Sequence, residues 1–581
     1  MSPPEDSFIG QPLGRDIDVE GDGSSINRMT DTNGPERDAC DILAALTGDA
    51  SRGSYVTPVN SDGWEFTVRV LSTTGSATKP LLVPARGFEL PNCLPTVGVV
   101  GSLFVEANTE TTASFPRTSS NTTSRDVNIF RTVKVNEDGR CIPAVNGEVQ
   151  APSIAIHKFD GPGHMHMDHH HVREVDPTAA DALEGELRRQ RSTLSLIASE
   201  NYASRAVLDA QGSALTNKYA EGYPGARYYG GCRYADEIES LAIERATELF
   251  GADHVNVQPH SGTQANQAVY YAVLEPGDKI LSLDLNHGGH LSHGHPVNFA
   301  GKLYEVERYE VDEETGRVDY EGLAEQAEAF EPDVIVSGYS AYPREVDWER
   351  IQAVADRVGA YHLADIAHIT GLVAAGVHAS PVGIADFVTG STHKTIRAGR
   401  GGIVMTTDEH AKAIDSAVFP GGQGGPLVHN IAGKAVGFGE ALEPEFTEYA
   451  EQTVRNAKAF GETLREHGFS LVSGGTDNHL VLVDLRPSHP DTTGSEAEDA
   501  LEDVGIVLNA NTVPGETRSP FDPSGVRIGT PCVTTRGFDE DDVRTVADCV
   551  ARVIDDPADE ALKADVRETV DRLCTERPLY E

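Results

Sequence analysis

The chain has 581 residues, of which 39% are hydrophobic, enough for more than one sizeable core. Asp and Glu total 91 against 47 Lys and Arg, a net charge of −44, and only 11 of the basic residues are Lys. So acidic a surface repels nucleic-acid backbones and anionic membranes, which leaves neither as an expected partner, and it suits a salt-rich cytosol where self-repulsion is screened. Seven scattered Cys without a CxxC pair point to free thiols in a reducing compartment. The acidic start MSPPEDSF has no apolar signal core, and Leu94–Val105 is too short and Gly-interrupted to span a bilayer, so a cytoplasmic location is expected.

Residues 1–164 carry 13 basic and 21 acidic side chains, a lower charge density than the rest. They are rich in Ser, Thr, Gly and Pro, as in TETTASFPRTSSNTTS (109–124), and hold no regular period for long, with one strand expected at 97–105. Two readings stand for this head: a poorly ordered accessory segment, or an extension from a start placed upstream of Met165 or Met167. HMHMDHHH (164–171) reads as a solvated leader rather than a metal site, because no rigid scaffold fixes ligand geometry there. No metal is expected.

From 178 onward the pattern is regular. ADALEGELRRQRSTLSLIAS (180–199) predicts an amphipathic helix, and DEIESLAIERATELFG (236–251) a second one that stops at Gly251. KILSLDL (279–285), DVIVSGYS (333–340), YHLADIA (361–367), DFVTGSTHK (386–394) and GIVMTT (402–407) predict short buried strands, with a helix at 348–360 between two of them. The alternation predicts an α/β fold: a mainly parallel sheet covered by helices. After 443 a long helix (444–467), strands FSLVSG, HLVLVDL and GVRIGT, and helices at 495–504 and 538–554 predict a smaller α+β domain. The expected division is 1–164 unassigned, 165–215 an N-terminal arm, 216–443 a large domain and 444–581 a small one.

Three elements carry chemistry. Lys394, in STHKT, sits just past an apolar strand, where a Lys is either salt-bridged or an amine of lowered pKa able to form a Schiff base. Asp365 ends another apolar strand, so both can converge at the carboxyl ends of a parallel sheet, with His368 on the same exit. HSGTQANQAV (260–269) is a small-residue turn opening a helix, an anion site formed by free N–H groups with Ser261 and Thr263. A Schiff-base amine, a carboxylate for a pyridinium nitrogen and a phosphate cradle together describe a site for pyridoxal 5′-phosphate.

Longer stretches make the chain recognisable. LIASENYAS (196–204), LTNKYAEGYPGARYYGG (215–231), NVQPHSGTQAN (256–266), HGGHLSHG (287–294), SAVFPGGQGGP (416–426), GGTDNHLVLVDL (474–485) and GVRIGTP (525–531) run in the order of one family. Residues from about 165 to 581 closely resemble the serine hydroxymethyltransferases, pyridoxal-phosphate enzymes of the aspartate-aminotransferase fold type with a seven-stranded sheet. The first 164 residues have no counterpart in that pattern.

The resemblance implies that Lys394 carries the cofactor, Asp365 pairs with its ring nitrogen, His290 stacks on the ring, and Ser261, Gly262 and Thr263 bind its phosphate. Tyr219 and Gly425 would reach the phosphate from a partner subunit, His393 would bind the cofactor, and Ser340 and His368 would contact the hydroxyl side of the ring or the substrate. Arg527, helped by Ser199, would clamp the substrate carboxylate, for which a planar fork is well suited. Glu221 would transfer the proton beside the serine hydroxyl, and Tyr228 and Tyr229 would line the site across a dimer interface. Leu285, Gly289, His290 and Leu291 would frame a tetrahydrofolate co-substrate, with Asn511 and Ser519, Pro520 and Phe521 at its pterin. The implied activity is reversible transfer of the serine hydroxymethyl carbon to tetrahydrofolate, with serine, glycine and a reduced folate as small-molecule partners in a homodimer or tetramer. The alternative is a folate-independent 3-hydroxy amino acid aldolase, against which Leu285, Leu291 and Asn511 argue. A regulatory protein that kept only the fold is disfavoured by Lys394, Asp365, Glu221 and Arg527. The chain departs from the family pattern at Ser391, in GST (390–392), at Pro343, and in IRAGRGG (396–402), which keeps Arg400.

Overall fold

The computed structural model describes residues 169–580 and, before them, the backbone of five strands. Those strands pair in the order Pro80–Ala85, Glu65–Ser72, Leu103–Ala107, Thr111–Arg117 and Ile129–Val135. Every neighbouring pair is antiparallel except Glu65–Ser72 with Leu103–Ala107. They belong to a unit spanning Met1–Asp160, distinct from the unit Gly161–Glu581. The strand expected at 97–105 coincides with a described one only at 103–105; its other residues lie outside the described ones, as does the His tract before His169. His170 and His171 open a short helix, His170–Val175, and lie 3.3 and 3.8 Å from Glu174.

The second unit is built on a seven-stranded sheet. In chain order its strands are β1 (His254–Asn256), β2 (Lys279–Leu283), β3 (Glu305–Tyr309), β4 (Val334–Ser337), β5 (Tyr361–Asp365), β6 (Phe387–Ser391) and β7 (Gly402–Thr406). The spatial order is β3-β2-β4-β5-β6-β7-β1. The five strands from β3 to β6 are parallel, and β4 and β6 are buried along their whole length. Such all-apolar runs are what a sheet covered on both faces requires. The last two pairings, β6 with β7 and β7 with β1, are antiparallel. No helix lies between Ser391 and Gly402, and so short a link returns a strand antiparallel; a parallel return needs a crossover.

Helix α1 (Pro177–Ser192) stops seven residues before the predicted end at 199. Leu194, Leu196 and Ala198 are completely buried, a period of two rather than 3.6, and Leu194–Ser195 pairs parallel with Ile506–Val507. Helix α2 (Arg233–Phe250) ends as expected, with Gly251 left-handed at φ 69°. Helix α3 (Gly262–Val273) follows β1, α4 (Trp348–Val358) joins β4 to β5, and α5 (Val428–Ala441) packs on α2.

A second core gathers Leu194, Phe460, Val481, Val483, Ile528 and Val550. Around it stand α6 (Pro444–Glu466) and a four-stranded sheet of β8 (Ser470–Leu471), β9 (Leu480–Asp484), β10 (Asn509–Asn511) and β11 (Gly525–Gly529), in the order β8-β9-β11-β10. Helices Gly494–Glu502 and Glu540–Asp555 complete it. Among the described residues no helix is long and apolar enough to cross a membrane.

Candidate active site

The carboxyl ends of β5 and β6 open into a cleft of about 230 Å³. Asp365 is the last residue of β5 and sits level with Thr389 of β6, so the chain leaving β6 brings Lys394 to the same end of the sheet. The cleft is lined by Ser261, Gly262, Thr263, His290, Ser340, Asp365, His368, His393 and Lys394, all singled out from the sequence. It is also lined by His293, Tyr339, Ala367, Ser391 and Arg400, which were not assigned there.

Asp365 is almost fully buried, which by itself would favour the neutral acid. Its Oδ2 accepts from His293 Nε2 at 3.0 Å and Asn266 Nδ2 at 2.8 Å, and its Oδ1 from the Ala367 N–H at 2.9 Å. These donors overcome the burial and hold the carboxyl well below its ordinary range, so it is ionised at neutral pH. Lys394 lies in the same buried volume. Burial pushes its amine down to about 8, against the pull of Asp365 and with the repulsion of Arg527 and Arg400. An amine poised there is neutral in a useful fraction near pH 7, which a Schiff-base nucleophile needs.

Asn266, completely buried on α3, organises a chain of donors. Its Oδ1 accepts from Thr389 Oγ1 at 2.6 Å, and its Nδ2 donates to Ser292 Oγ at 2.9 Å as well as to Asp365. The Ser292 N–H donates to His290 Nδ1, and Ser292 Oγ lies 2.7 Å from the same nitrogen. An Nδ1 that accepts leaves the proton of His290 on Nε2, and burial lowers this imidazole to about 4, so it is neutral. Asn266, Ser292 and His293 are the site residues the sequence reading passed over. His293 stands inside the quoted HGGHLSHG and Asn266 closes NVQPHSGTQAN, one helical turn after Gly262, so a helical projection of that motif marks it.

Ser261 caps α3, its Oγ accepting from the Gln264 N–H at 3.2 Å. Gly262 has no room for a side chain: a Cβ would fall 2.7 Å from Ser391 Oγ. Ser261, Gly262 and Thr263 bring the N-terminus of α3 to the cleft that Lys394 also lines, an arrangement suited to an anion. A buried amine, a buried ionised carboxylate and a helix N-terminus in one cleft fit the donor set pyridoxal phosphate requires.

Arg527, on β11, reaches the cleft rim from the second core. It is 9% exposed, its Nη1 donates to the Ser340 carbonyl at 2.8 Å and its Nε to Asn509 Oδ1 at 3.2 Å. Among the described residues it has no carboxylate partner, and burial lowers it to about 10. A buried guanidinium without an anion is costly unless a ligand supplies one. Ser199 is half-buried next to Ala198, which packs against Gly529 at the end of β11. His368 lies stacked on His479, ring centroids 5.6 Å apart, and burial keeps it neutral.

A second group of expected residues gathers elsewhere on the chain. Tyr219 Oη donates to Glu221 Oε1 at 3.2 Å, the Tyr219 and Tyr229 rings meet edge to face at 5.1 Å, and Gly425 packs on the Tyr219 ring. None of these lines the Lys394 cleft. Tyr219, Tyr228 and Tyr229 are 57%, 74% and 48% exposed. Of the expected folate residues, His290 lines the cleft, and Leu285, Gly289 and Leu291 lie on the same β2 exit. Asn511 ends β10, while Ser519, Pro520 and Phe521 form an exposed loop whose Phe521 is 95% exposed; none of the four lines the cleft.

A model of the serine hydroxymethyltransferase family matches residues 172–550. The serine hydroxymethyltransferases of Haloarcula marismortui and Halobacterium salinarum are each 74% identical over 415 residues, 71% of this chain and 100% of theirs. That of Haloquadratum walsbyi is 71% identical over 414 residues, again 71% of this chain and all of the relative. The acidic composition fits these relatives, which come from halophilic archaea. With a mainly parallel seven-stranded sheet, a buried lysine cleft at its carboxyl end and this degree of likeness, the chain belongs to the serine hydroxymethyltransferase family.

Proposed function

We propose that the chain interconverts serine and glycine in the cytoplasm, passing the hydroxymethyl carbon of serine to tetrahydrofolate, with pyridoxal 5′-phosphate held on Lys394. The observation that carries this reading is the buried Lys394 amine beside ionised Asp365, within a cleft rimmed by a guanidinium that has no carboxylate of its own. The cofactor, when bound, supplies an electron sink for the bond being broken. Every other task falls to side chains. Lys394 would hold the cofactor through its buried amine. Asp365, fixed by His293 and Asn266, keeps a proton on the pyridine nitrogen. The start of α3 binds the phosphate, and neutral His290, with its proton on Nε2, covers the ring face.

Arg527 would take the substrate carboxylate in a bidentate grip, assisted by Ser199, and so orient the amino acid in the cleft. Glu221 moves the proton at the serine hydroxyl, with Tyr229 beside it. Because Glu221, Tyr219, Tyr229 and Gly425 cluster on an exposed face rather than in the cleft of their own chain, they serve the cleft of a second copy. Two chains then make two sites, residues 216–443 supplying the cofactor pocket and 444–581 the carboxylate clamp. Leu285, Gly289 and Leu291 flank the folate, and Asn511 with Ser519–Phe521 closes on its pterin. Serine cleavage assayed with and without tetrahydrofolate tests the reading: a rate that depends on folate is expected, and equal rates would make the chain a folate-independent aldolase.

A further inference from the structure

Lys434 is 1% exposed in the middle of α5, and burial lowers its amine to about 7. Among the described residues no carboxylate forms an ion pair with it; the charge it senses is Glu239, through space. Its Nζ instead donates to three main-chain carbonyls: Val257 at 2.6 Å, Pro259 at 3.0 Å and Gly402 at 2.9 Å. An ammonium has three donors, and all three are used. Burying a charge for neutral acceptors alone is expensive, and an apolar side chain would fill the same space at less cost.

The three carbonyls are not a random set. Val257 and Pro259 belong to the strap that leads from β1 into Ser261, the start of the phosphate cradle. Gly402 closes the loop that runs from Lys394 past Arg400 into β7. The two segments are also joined directly, since the Gly402 N–H donates to the Pro259 carbonyl at 2.9 Å. A Cβ on Gly401 would fall 2.5 Å from Lys434 Nζ, so the loop is pressed against the ammonium with no space between. On its other side the strap is held by Gln423, whose Nε2 donates to the Gln258 carbonyl and whose Oε1 accepts from the His260 N–H.

We propose that Lys434 is a positioning residue for the phosphate end of the cofactor: it ties the strap before Ser261 to the loop after Lys394 and so sets the spacing between the anion cradle and the amine. This rests on the pyridoxal-phosphate reading above. It separates two contributions to affinity, the covalent grip of Lys394 and the fit of the cradle to phosphate. Loss of the tie disturbs the second and spares the first.

The experiment compares pyridoxal 5′-phosphate with pyridoxal, which lacks the phosphate, on the full-length chain. Dissociation constants for both are read from the absorbance of the Lys394-bound cofactor in wild type, Lys434→Met and Gly401→Ala; the last displaces the ammonium without removing it. Wild type is expected to prefer the phosphorylated form. Lys434→Met is expected to weaken pyridoxal phosphate by about tenfold while leaving pyridoxal within about twofold, as loss of charge-assisted hydrogen bonds on one side of a site would do. Gly401→Ala is expected to shift the same ratio in the same direction, and it decides the matter if Lys434→Met does not fold. Equal weakening of both ligands, or an unchanged ratio in a folded variant, would overturn the role given to Lys434. A wild type that binds neither ligand would instead overturn the cofactor reading.

Discussion

The Lys394 cleft and the 219–229 hairpin, in which Gly222–Tyr223 pairs antiparallel with Ala226–Arg227, carry equally distinctive sequence, yet the chain treats them in opposite ways. In and around the cleft the key polar groups are largely buried and held: Asp365 by three donors, neutral His290 through Ser292, and Arg527 at the rim by a carbonyl and an amide oxygen. On the hairpin the fold fixes only the base. Arg227 donates to the Ala220 and Gly222 carbonyls and pairs with buried Glu239. Tyr219, Tyr228 and Tyr229 remain exposed beside Glu221. A rigid base under an exposed aromatic and acidic tip is a surface built to be covered. On the reading proposed above, one chain would complete the cofactor half of a site and present the proton-transfer half outward.

The largest effect expected from breaking this contrast is at Lys394. Lys394→Ala should lower serine turnover by at least about a thousandfold and abolish the absorbance of enzyme-bound cofactor. A variant active at the wild-type rate would end the assignment. Next comes Arg527→Ala, for which kcat/KM toward serine should fall on the order of 10² to 10³-fold while the cofactor band stays intact, as the proposed role of Arg527 toward the substrate rather than the cofactor requires. Loss of the band together with the activity would show that its role is structural.

Ser292→Ala removes two hydrogen bonds, one to His290 and one from Asn266, and should cost roughly five- to tenfold in kcat, with cofactor retained. The smallest effect is one of pH. Because the folded chain holds Lys394 near 8, below its ordinary value of 10.5, the folded state binds fewer protons than the unfolded one between those values. Lys394 therefore contributes a rise in the stability of the cofactor-free protein as pH climbs from about 8 towards 10.5, added to that of Lys434, held near 7, and the cost of its own buried charge is fully present below about 8. In Lys394→Met that rise should flatten, as thermal melts of the cofactor-free protein across the same range would reveal.

Much of this was legible in the sequence. The existence of β5 and β6, and hence the meeting of Asp365 with Lys394, follows from the buried-strand pattern, although the strands end at Asp365 and Ser391 rather than at 367 and 394. The extent of α1 did not, because the alternation of Leu194, Leu196 and Ala198 overlaps a helical pattern. What settles it is pairing with Ile506–Val507, over three hundred residues away. The antiparallel turn of β7 was hidden too, since a buried strand reads alike in either direction. Asn266 and Lys434 escaped for a common reason. A polar residue inside a helix reads as part of a solvated face; the turn after Gly262 points to Asn266, whereas nothing along the chain shows that Lys434 is buried against three carbonyls.

The contrast between the two regions is tested most directly by mixing two inactive chains, Lys394→Ala and Glu221→Gln. If the sites are shared, each mixed dimer has one intact site, made from the lysine of one chain and the glutamate of the other. Refolding equal amounts together should then restore about a quarter of wild-type activity. Activity that stays at the level of the separate parents, in a sample where tagged pull-down shows that mixed dimers have formed, would mean that each chain completes its own site and would contradict the account.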